Sequence, residues 1–326
     1  MFRETVRSGK IWRYDVAVFI AAVFAVISFS IPALAQDTGQ RKFKSPEDAV
    51  NALVEAARNS DIKELLAILG PEGKDIISSG DPVADEEARK RFVKAASEAM
   101  KFRKLDDKGV LAVVGKDEWS FPIPLMKVGP EWVFFTKEGK EEIINRRIGR
   151  NELNAIQISL AYVAAQREYA RSDRNGDGIL QYAQHFLSKN GKKDGLYWEA
   201  TPEEEISPLG PLLARATEEG YAFRKGEKPV PYHGYYFKIL KSQGSNAPGG
   251  ELNYIVDGRM IRGFGLLAYP AEYGVSGIMS FVVNHSGVVY EKDLGSKTKE
   301  AAKAMTKYDP DKKWKKIELP PVAKGK

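Results

Sequence analysis

Apolar residues in the N-terminal half of the chain recur three and four positions apart, a spacing typical of amphipathic helices. Ser45-Pro46 opens the first such helix, because serine caps a helix N-terminus and proline suits its first turn. Asp61 caps a second helix, and Asp81-Pro82 opens a third that continues to about Lys101. The pattern then becomes one of strands, predicted over residues 110–114, 119–126 and 131–135.

The strand beginning at Trp119 carries two prolines on one face. Pro122 and Pro124 both remove N–H donors from the same side, so we expect an edge strand over Trp119–Leu125.

A long helical pattern links this part of the chain to a second group of strands. Residues 139–171 keep apolar positions at helical spacing without a proline, and strands follow over 232–240, 261–268, 278–283 and 288–291. The order of elements predicts an α+β protein. The predicted divisions are a leader at 1–35, a linker at 36–43, an N-terminal α+β domain at 44–138, the connecting helix at 139–171, a C-terminal α+β domain at 172–296 and a basic tail at 297–326.

The first 35 residues resemble a secretory signal peptide. Arg3, Arg7, Lys10 and Arg13 precede an uncharged apolar run that ends in Ala33-Leu34-Ala35. An uncleaved anchor in the inner membrane is the alternative, because the run approaches the ~20 residues that span a bilayer. Either way we expect the rest of the chain outside the cytoplasm, in the periplasm or secreted.

The amino-acid composition excludes several kinds of functional site. The 326 residues contain no cysteine, which excludes disulfides, thiolate metal sites and cysteine nucleophiles. The net charge of +6 lies partly in the tail, where Lys312, Lys313, Lys315 and Lys316 flank Trp314. We expect a solvated tail, with weak attraction to anionic lipid as the alternative and no nucleic-acid partner.

One loop has the spacing of a calcium site. Asp173, Asn175 and Asp177 stand at positions 1, 3 and 5, Gly178 stands at position 6, and Ile179 supplies a carbonyl. Gln181 and Gln184 complete the candidate ligands, but position 12 is Gln184 and not the bidentate glutamate of a tight site. The residues therefore predict a weak calcium site or, equally, an Asx-rich turn without metal.

No catalytic motif is present. His185, His233 and His285 lack zinc-ligand spacing, and the sequence has no nucleophile elbow and no phosphate loop. The candidate pocket is the interior of the N-terminal domain, which Trp119, Phe121 and Trp132 are expected to line.

Three resemblances add to this interpretation. The N-terminal order of helices and strands resembles the cone-like nuclear-transport-factor-2 superfamily. The C-terminal half resembles type IV pilin and pseudopilin heads through segments such as Gly176-Asp177-Gly178, Pro208-Leu209-Gly210 and Gly287-Val288-Val289-Tyr290. From Phe43 to about Glu318 the chain resembles the bacterial exported family called domain of unknown function 2950, through Phe43–Val50, Phe121–Leu125, Asp173–Ala183 and Tyr269–Gly274.

The sequence therefore predicts an exported, non-enzymatic envelope protein with a binding or scaffolding role, with calcium as a candidate stabiliser. A small-molecule enzyme or carrier using the N-terminal pocket is one alternative. An accessory factor of a pilus or secretion system, with envelope components as partners, is the other.

Overall fold

The computed structural model describes residues 39–201, 204–223 and 229–318. The predicted leader over 1–35 lies outside the described residues.

The N-terminal part begins with helices whose starts match the predicted caps. The helices are α1 (Pro46–Arg58), α2 (Ile62–Leu69), α3 (Lys74–Ile77) and α4 (Pro82–Glu98), with a 3-10 turn over Pro71–Gly73 before α3. The side chains of Ser45, Asp61 and Asp81 each accept a hydrogen bond from the first turn of α1, α2 and α4. Helix α4 is shorter than predicted, and the chain leaves it for a strand.

Five strands form the N-terminal antiparallel sheet: β1 (Met100–Lys104), β2 (Gly109–Val114), β3 (Trp119–Ser120), β4 (Leu125–Val128) and β5 (Glu131–Phe134). The order is β1-β2-β4-β5, and β3 pairs with β2 beside β4. The prediction of one edge strand over Trp119–Leu125 is wrong, because pairing stops across Phe121–Pro124 and β4 lies between β2 and β5. The prolines interrupt the strand, since neither can donate to the ladder.

Helix α5 (Thr136–Tyr169) is the predicted long helix. Its first turn lies directly on the interrupted strand, where a Cβ at Gly139 would come within 2.5 Å of the Pro122 carbonyl oxygen. Its N-terminal part contacts α3, and its C-terminal part packs on the second sheet. The helix therefore belongs to both halves of the described chain.

The second half contains helix α6 (Gly210–Glu218) and a five-stranded antiparallel sheet. Short strand pairs join β7 (Ser242–Gln243) to β8 (Leu252–Asn253) and β9 (Ile255–Val256) to β10 (Arg259–Met260). The main sheet has the order β14-β13-β12-β11-β6. Its strands are β6 (Tyr235–Leu240), β11 (Gly265–Pro270), β12 (Met279–Asn284), β13 (Val289–Asp293) and β14 (Lys315–Lys316).

The main sheet is covered on both faces. Leu266 and Phe281 pack with α5, whereas Leu267 and Val282 pack with Tyr308 and Trp314 on the opposite face. Alternating residues of one strand thus enter two different cores, as strand geometry requires.

Residues 297–318 are packed, unlike the solvated tail that the sequence predicted. They form helix α7 (Thr298–Ala304) and β14, and they bury Ala302, Tyr308 and Trp314. These apolar residues, which lie among the lysines of this segment, cover the second face of the main sheet. Within the predicted linker, Phe43 is likewise buried and pairs with Trp132.

The helices and antiparallel sheets together form the predicted α+β fold. Across the described ranges, no helix combines the length and the apolar content needed to cross a bilayer.

Candidate functional site

An apolar cavity of about 420 Å³ lies beneath α4, between the first helices, the N-terminal sheet and α5. Its volume lies in the range of ligand pockets. Trp119 and Phe121 form an aromatic wall with Phe92, and the Phe121 ring centroid lies 5.4 Å from Phe92 and 5.8 Å from Trp119. The aliphatic lining is Leu53, Ala57, Leu65, Leu69, Ile76, Ile77 and Ile143.

Helix α4 packs on α1 and forms one wall of the cavity. None of the 17 residues of α4 is buried, whereas α1 buries Ala49, Val50, Leu53, Ala56 and Ala57. A helix of this length in a folded domain normally buries one stripe of side chains. The corresponding stripe of α4 comprises Ala88, Phe92 and Ala95, and it faces the cavity.

The remaining lining of the cavity carries strong positive charge. Among its described lining residues are five arginines and one carboxylate, that of Asp85. Two arginines have partners: Arg146 donates to Glu142, and Arg147 donates to the backbone carbonyls of Asp75 and Ile76 at 2.6 and 2.5 Å. The other three, Arg89, Arg91 and Arg150, form no hydrogen bond or ion pair with any described residue, and Arg89 Nε is buried.

The pKa shifts agree with this imbalance. Burial lowers the pKa of the Arg147 guanidinium, an effect that nearby Asp85 opposes. Burial also lowers the pKa of Arg150, and repulsion from Arg91 adds to the shift. Burial raises the pKa of Asp85, although its carboxylate accepts a hydrogen bond from Ser79 N. The site therefore holds more cations than anions, with Arg89 and Arg147 half-buried and Arg91 and Arg150 exposed to solvent.

A polar cleft of about 270 Å³ adjoins the cavity. Five residues line both spaces, namely Asp85, Ala88, Arg91, Arg147 and Arg150. Across the cleft from α4 and α5 lie Glu219, Tyr221 and His233 of the C-terminal half. We call this space the seam cleft, because both halves of the described chain contribute its walls.

Asp81 joins the two walls of the seam cleft. Its buried carboxylate caps α4 through Ala84 N and accepts hydrogen bonds from Tyr221 Oη at 3.0 Å and Gly234 N at 2.8 Å. Burial and the nearby Asp81 charge raise the pKa of Tyr221. Tyr221 therefore remains a protonated donor to Asp81 at neutral pH.

His233 is held in an uncommon conformation. Its φ is +49°, in the left-handed region that non-glycine residues rarely occupy. Its Nε2 lies 3.2 Å from Glu219 Oε2, and burial lowers the pKa of the imidazole although Glu219 opposes that shift. Glu219 Oε2 is itself buried without a hydrogen-bond partner among the described residues, so its contact with His233 is electrostatic, and a neutral imidazole in this place has one donor and one acceptor nitrogen.

The structure brings together part of the predicted pocket. Trp119 and Phe121 line the cavity, whereas Trp132 is absent from its described lining and pairs through its backbone with Phe43. The arginines were not predicted as a site. Their sequence signal is slight: Arg89 and Arg91 lie on α4, Arg147 and Arg150 lie on α5, and nothing in the sequence indicates that the two helices meet.

The predicted calcium loop is held by hydrogen bonds. The Asp173 carboxylate accepts from Asn175 N, Gly176 N and Gly178 N, and Asp177 Oδ2 accepts from Arg259 Nε at 2.7 Å. Asp177 Oδ1 accepts from Ile179 N at 3.0 Å.

The other calcium candidates lie near this loop, and Asn175, Gln181 and Gln184 line one surface depression. The Gln184 amide is already engaged, because its Nε2 donates to the carbonyl of Gly258 at 2.7 Å and its Oε1 accepts from Lys241 Nζ at 3.3 Å. No three His, Asp or Glu side chains in the described ranges are grouped to hold a metal. Calcium therefore remains a prediction from the loop spacing.

Comparison with known proteins shows a family and no individual relative. No curated protein and no solved structure matches the chain. The profile of the family described as "Protein of unknown function (DUF2950)" matches residues 40–317, which include both walls of the seam cleft. The chain therefore belongs to the DUF2950 family.

Proposed function

We propose that this protein is an exported binding protein for an anionic amphiphile. The apolar chain of the ligand occupies the cavity beneath α4, and its carboxylate or phosphate lies against the arginines at the edge of that cavity. The observation that carries the proposal is the apolar cavity bordered by Arg89, Arg91 and Arg150, which form no hydrogen bond or ion pair with another described residue.

The apolar walls supply the affinity for the chain. Each buried methylene contributes about 0.8 kcal/mol, so a medium-length alkyl chain gains several kcal/mol before entropic losses. Ligand contact would also cover the Ala88, Phe92 and Ala95 stripe of α4, in which Phe92 is only half-buried against the core.

The arginines supply the selectivity for an anion. A guanidinium matches the planar oxygens of a carboxylate or phosphate, and such charge-assisted hydrogen bonds are stronger than neutral ones. An anion would also relieve the repulsion between Arg91 and Arg150. A purely structural role would not require unpaired cations beside an apolar space, so these features support a carrier more than a scaffold.

The proposal that the protein is exported rests on the sequence of its first 35 residues. The apolar leader with the Ala33-Leu34-Ala35 site directs the chain out of the cytoplasm, where the carrier would meet amphiphiles of the envelope.

The test uses octanoate, octyl phosphate and uncharged octanol as probes, with binding followed by calorimetry and by the fluorescence of Trp119. We expect both anions to bind and octanol to bind at least about ten-fold more weakly, a difference of about 1.4 kcal/mol. The variant Arg91→Ala, Arg150→Ala is expected to lose that preference. Arg103→Ala, an exposed arginine on β1 outside the cavity, is the matched control. Equal binding of octanol and octanoate, or an unchanged preference in the double variant, contradicts the proposal.

A further inference from the structure

The seam cleft contains more polar space than a carboxylate needs. It adds about 270 Å³ beyond the apolar cavity and shares Arg91, Arg147 and Arg150 with it. A single water molecule occupies roughly 30 Å³ in the liquid, so a bare carboxylate would leave most of this cleft to solvent. A ligand that uses the arginines can therefore extend a larger polar group into the cleft.

The cleft offers hydrogen-bond acceptors as well as cations, because the carboxylates of Asp85, Glu87 and Glu219 line it beside the three arginines and can accept from hydroxyl groups. Asn151 is buried and donates through Nδ2 to the Ser276 carbonyl at 2.9 Å, which fixes its amide and leaves Oδ1 without a donor among the described residues. Asn154, one turn further along α5, also lines the cleft. A neutral His233 imidazole adds a further acceptor through its unprotonated ring nitrogen.

The position of His233 is maintained against backbone strain. A non-glycine residue at φ +49° is strained, and such residues concentrate at functional sites. The adjoining Gly234 donates to Asp81, so the buried Asp81 network holds the histidine at the cleft.

The donors and acceptors that line the seam cleft favour one class of ligand head group over another. A carboxylate or an alkyl phosphate dianion presents only acceptors, so it can use the arginines and the N–H groups of Asn154 but none of the acceptors of the cleft. A hydroxyl group both donates and accepts, so it can use Asn151, Asn154 and His233 together with the arginines. Resting on the proposed function, we infer that the ligand is an amphiphile with a phosphorylated polyol head group and that the seam cleft binds this head group.

The experiment compares octanoyl glycerol phosphate with octyl phosphate and with glycerol phosphate, by titration calorimetry on the purified full chain. We expect the acylated polyol phosphate to bind at least about ten-fold more tightly than octyl phosphate, the gain that one well-formed hydrogen bond to the hydroxyl can supply. Glycerol phosphate without a chain is expected to bind far more weakly than either.

Two variants test whether the ten-fold gain in affinity comes from contacts in the seam cleft. His233→Phe and, separately, Asn154→Ala are expected to remove the ten-fold preference while leaving the affinity for octyl phosphate unchanged. Asn154→Ala lies within a helix that alanine favours, so it reports on the cleft even if His233→Phe disturbs the fold. Asn145→Ala, an exposed position of the same helix outside both spaces, is the control.

The outcomes separate this inference from the proposed function. Equal binding of octanoyl glycerol phosphate and octyl phosphate overturns the polyol head group and leaves the anionic carrier standing. No binding of any acylated anion overturns both. Glycerol phosphate that binds as tightly as the acylated probe supports the cleft and contradicts an apolar chain in the cavity.

Discussion

At the scale of single residues, Asp81 connects helix α4 to the C-terminal half beside the candidate site. One carboxylate oxygen caps α4, and the other accepts from Tyr221 Oη and Gly234 N in the C-terminal half. A buried carboxylate is acceptable only when its hydrogen bonds are satisfied, and here three donors satisfy it. The candidate site depends on this residue for its shape, although Asp81 itself is buried beneath it.

Asp81→Ala is expected to lower the free energy of unfolding by about 3–5 kcal/mol, because a helix cap is lost and buried donors remain unpaired. Asp61→Ala is the matched control, since Asp61 caps α2 in the same way but is exposed. We expect that control to lose only about 1 kcal/mol. Denaturant unfolding measures both values, and equal losses would contradict the central role of Asp81.

For the loop at Asp173, we expect a calcium-dependent rise in melting temperature only at roughly millimolar calcium. Backbone N–H groups and Arg259 already use the carboxylate oxygens, and Gln184 replaces the bidentate glutamate of a tight site. The variant Asp173→Ala, Asp177→Ala should abolish the rise. A calorimetric scan with and without calcium is the measurement, and a wild-type protein that does not respond would leave the loop as a turn.

At the scale of elements, the relation of α5 to the interrupted strand fixes the floor of the N-terminal part. Gly139 lies against the Pro122 carbonyl and Ile123 N, with room for a hydrogen atom and none for a methyl group. Gly149 lies on the same helix with nothing within 4 Å of its missing Cβ. Close packing of α5 on the interrupted strand therefore requires a glycine at position 139 but not at position 149.

Gly139→Ala is expected to destabilise the protein by more than about 2 kcal/mol, because the added methyl group meets backbone that cannot move freely. Gly149→Ala is expected to stabilise it by about 0.5–1 kcal/mol through helix propensity alone. Chemical denaturation of the two variants measures the difference. Similar values for both substitutions would show that α5 does not press on the interrupted strand.

Helix α4 is expected to exchange its amide hydrogens faster than α1. Protection follows burial and packing, and α1 buries five side chains whereas α4 buries none. Hydrogen exchange with mass spectrometry measures both helices in one experiment. We further expect octyl phosphate to slow exchange in α4 and to leave α7 unchanged. Equal protection of α1 and α4 in the free protein would contradict the open packing of α4.

At the scale of the whole molecule, two histidines on opposite sides of the C-terminal half share one response to pH. Burial lowers the pKa of His233 and of His285 below the ordinary value of 6.5, and Arg167 adds to the shift at His285. Below pH 6.5 the unfolded chain therefore binds more protons than the folded one. Linkage then requires stability to fall as pH decreases from 6.5 through the folded pKa values.

We expect the free energy of unfolding to decrease between pH 7 and pH 5, and the variant His233→Gln, His285→Gln to have a shallower slope. Asp85 has the opposite effect on stability at lower pH. Burial raises its pKa above 3.8, so the folded state keeps this proton to a higher pH than the unfolded state does. Denaturant titrations across the range measure the slope. An unchanged slope in the double variant would assign the pH response to other groups.

Sequence patterns determined the local structure because its causes are local. Ser45, Asp61 and Asp81 start helices through hydrogen bonds within their own first turns, and the predicted helix over 139–171 corresponds to α5 at Thr136–Tyr169. The α+β class follows from the same local signals, whereas membership of the DUF2950 family rests on the match of residues 40–317 to the family. The pilin-like and cone-like resemblances and the signal peptide remain predictions.

Only the tertiary structure decided where chemistry could occur. Arg91 and Arg150 are 59 positions apart and become neighbours because α4 and α5 border the same cavity. In the sequence, Trp314 lies among lysines and resembles part of a charged tail. In the fold, its side chain packs with Leu267 and Val282 on one face of the main sheet. Caps and periodicity act within a few residues, whereas cavities and unpaired charges depend on elements brought together over long loops, and no short-range pattern records those contacts.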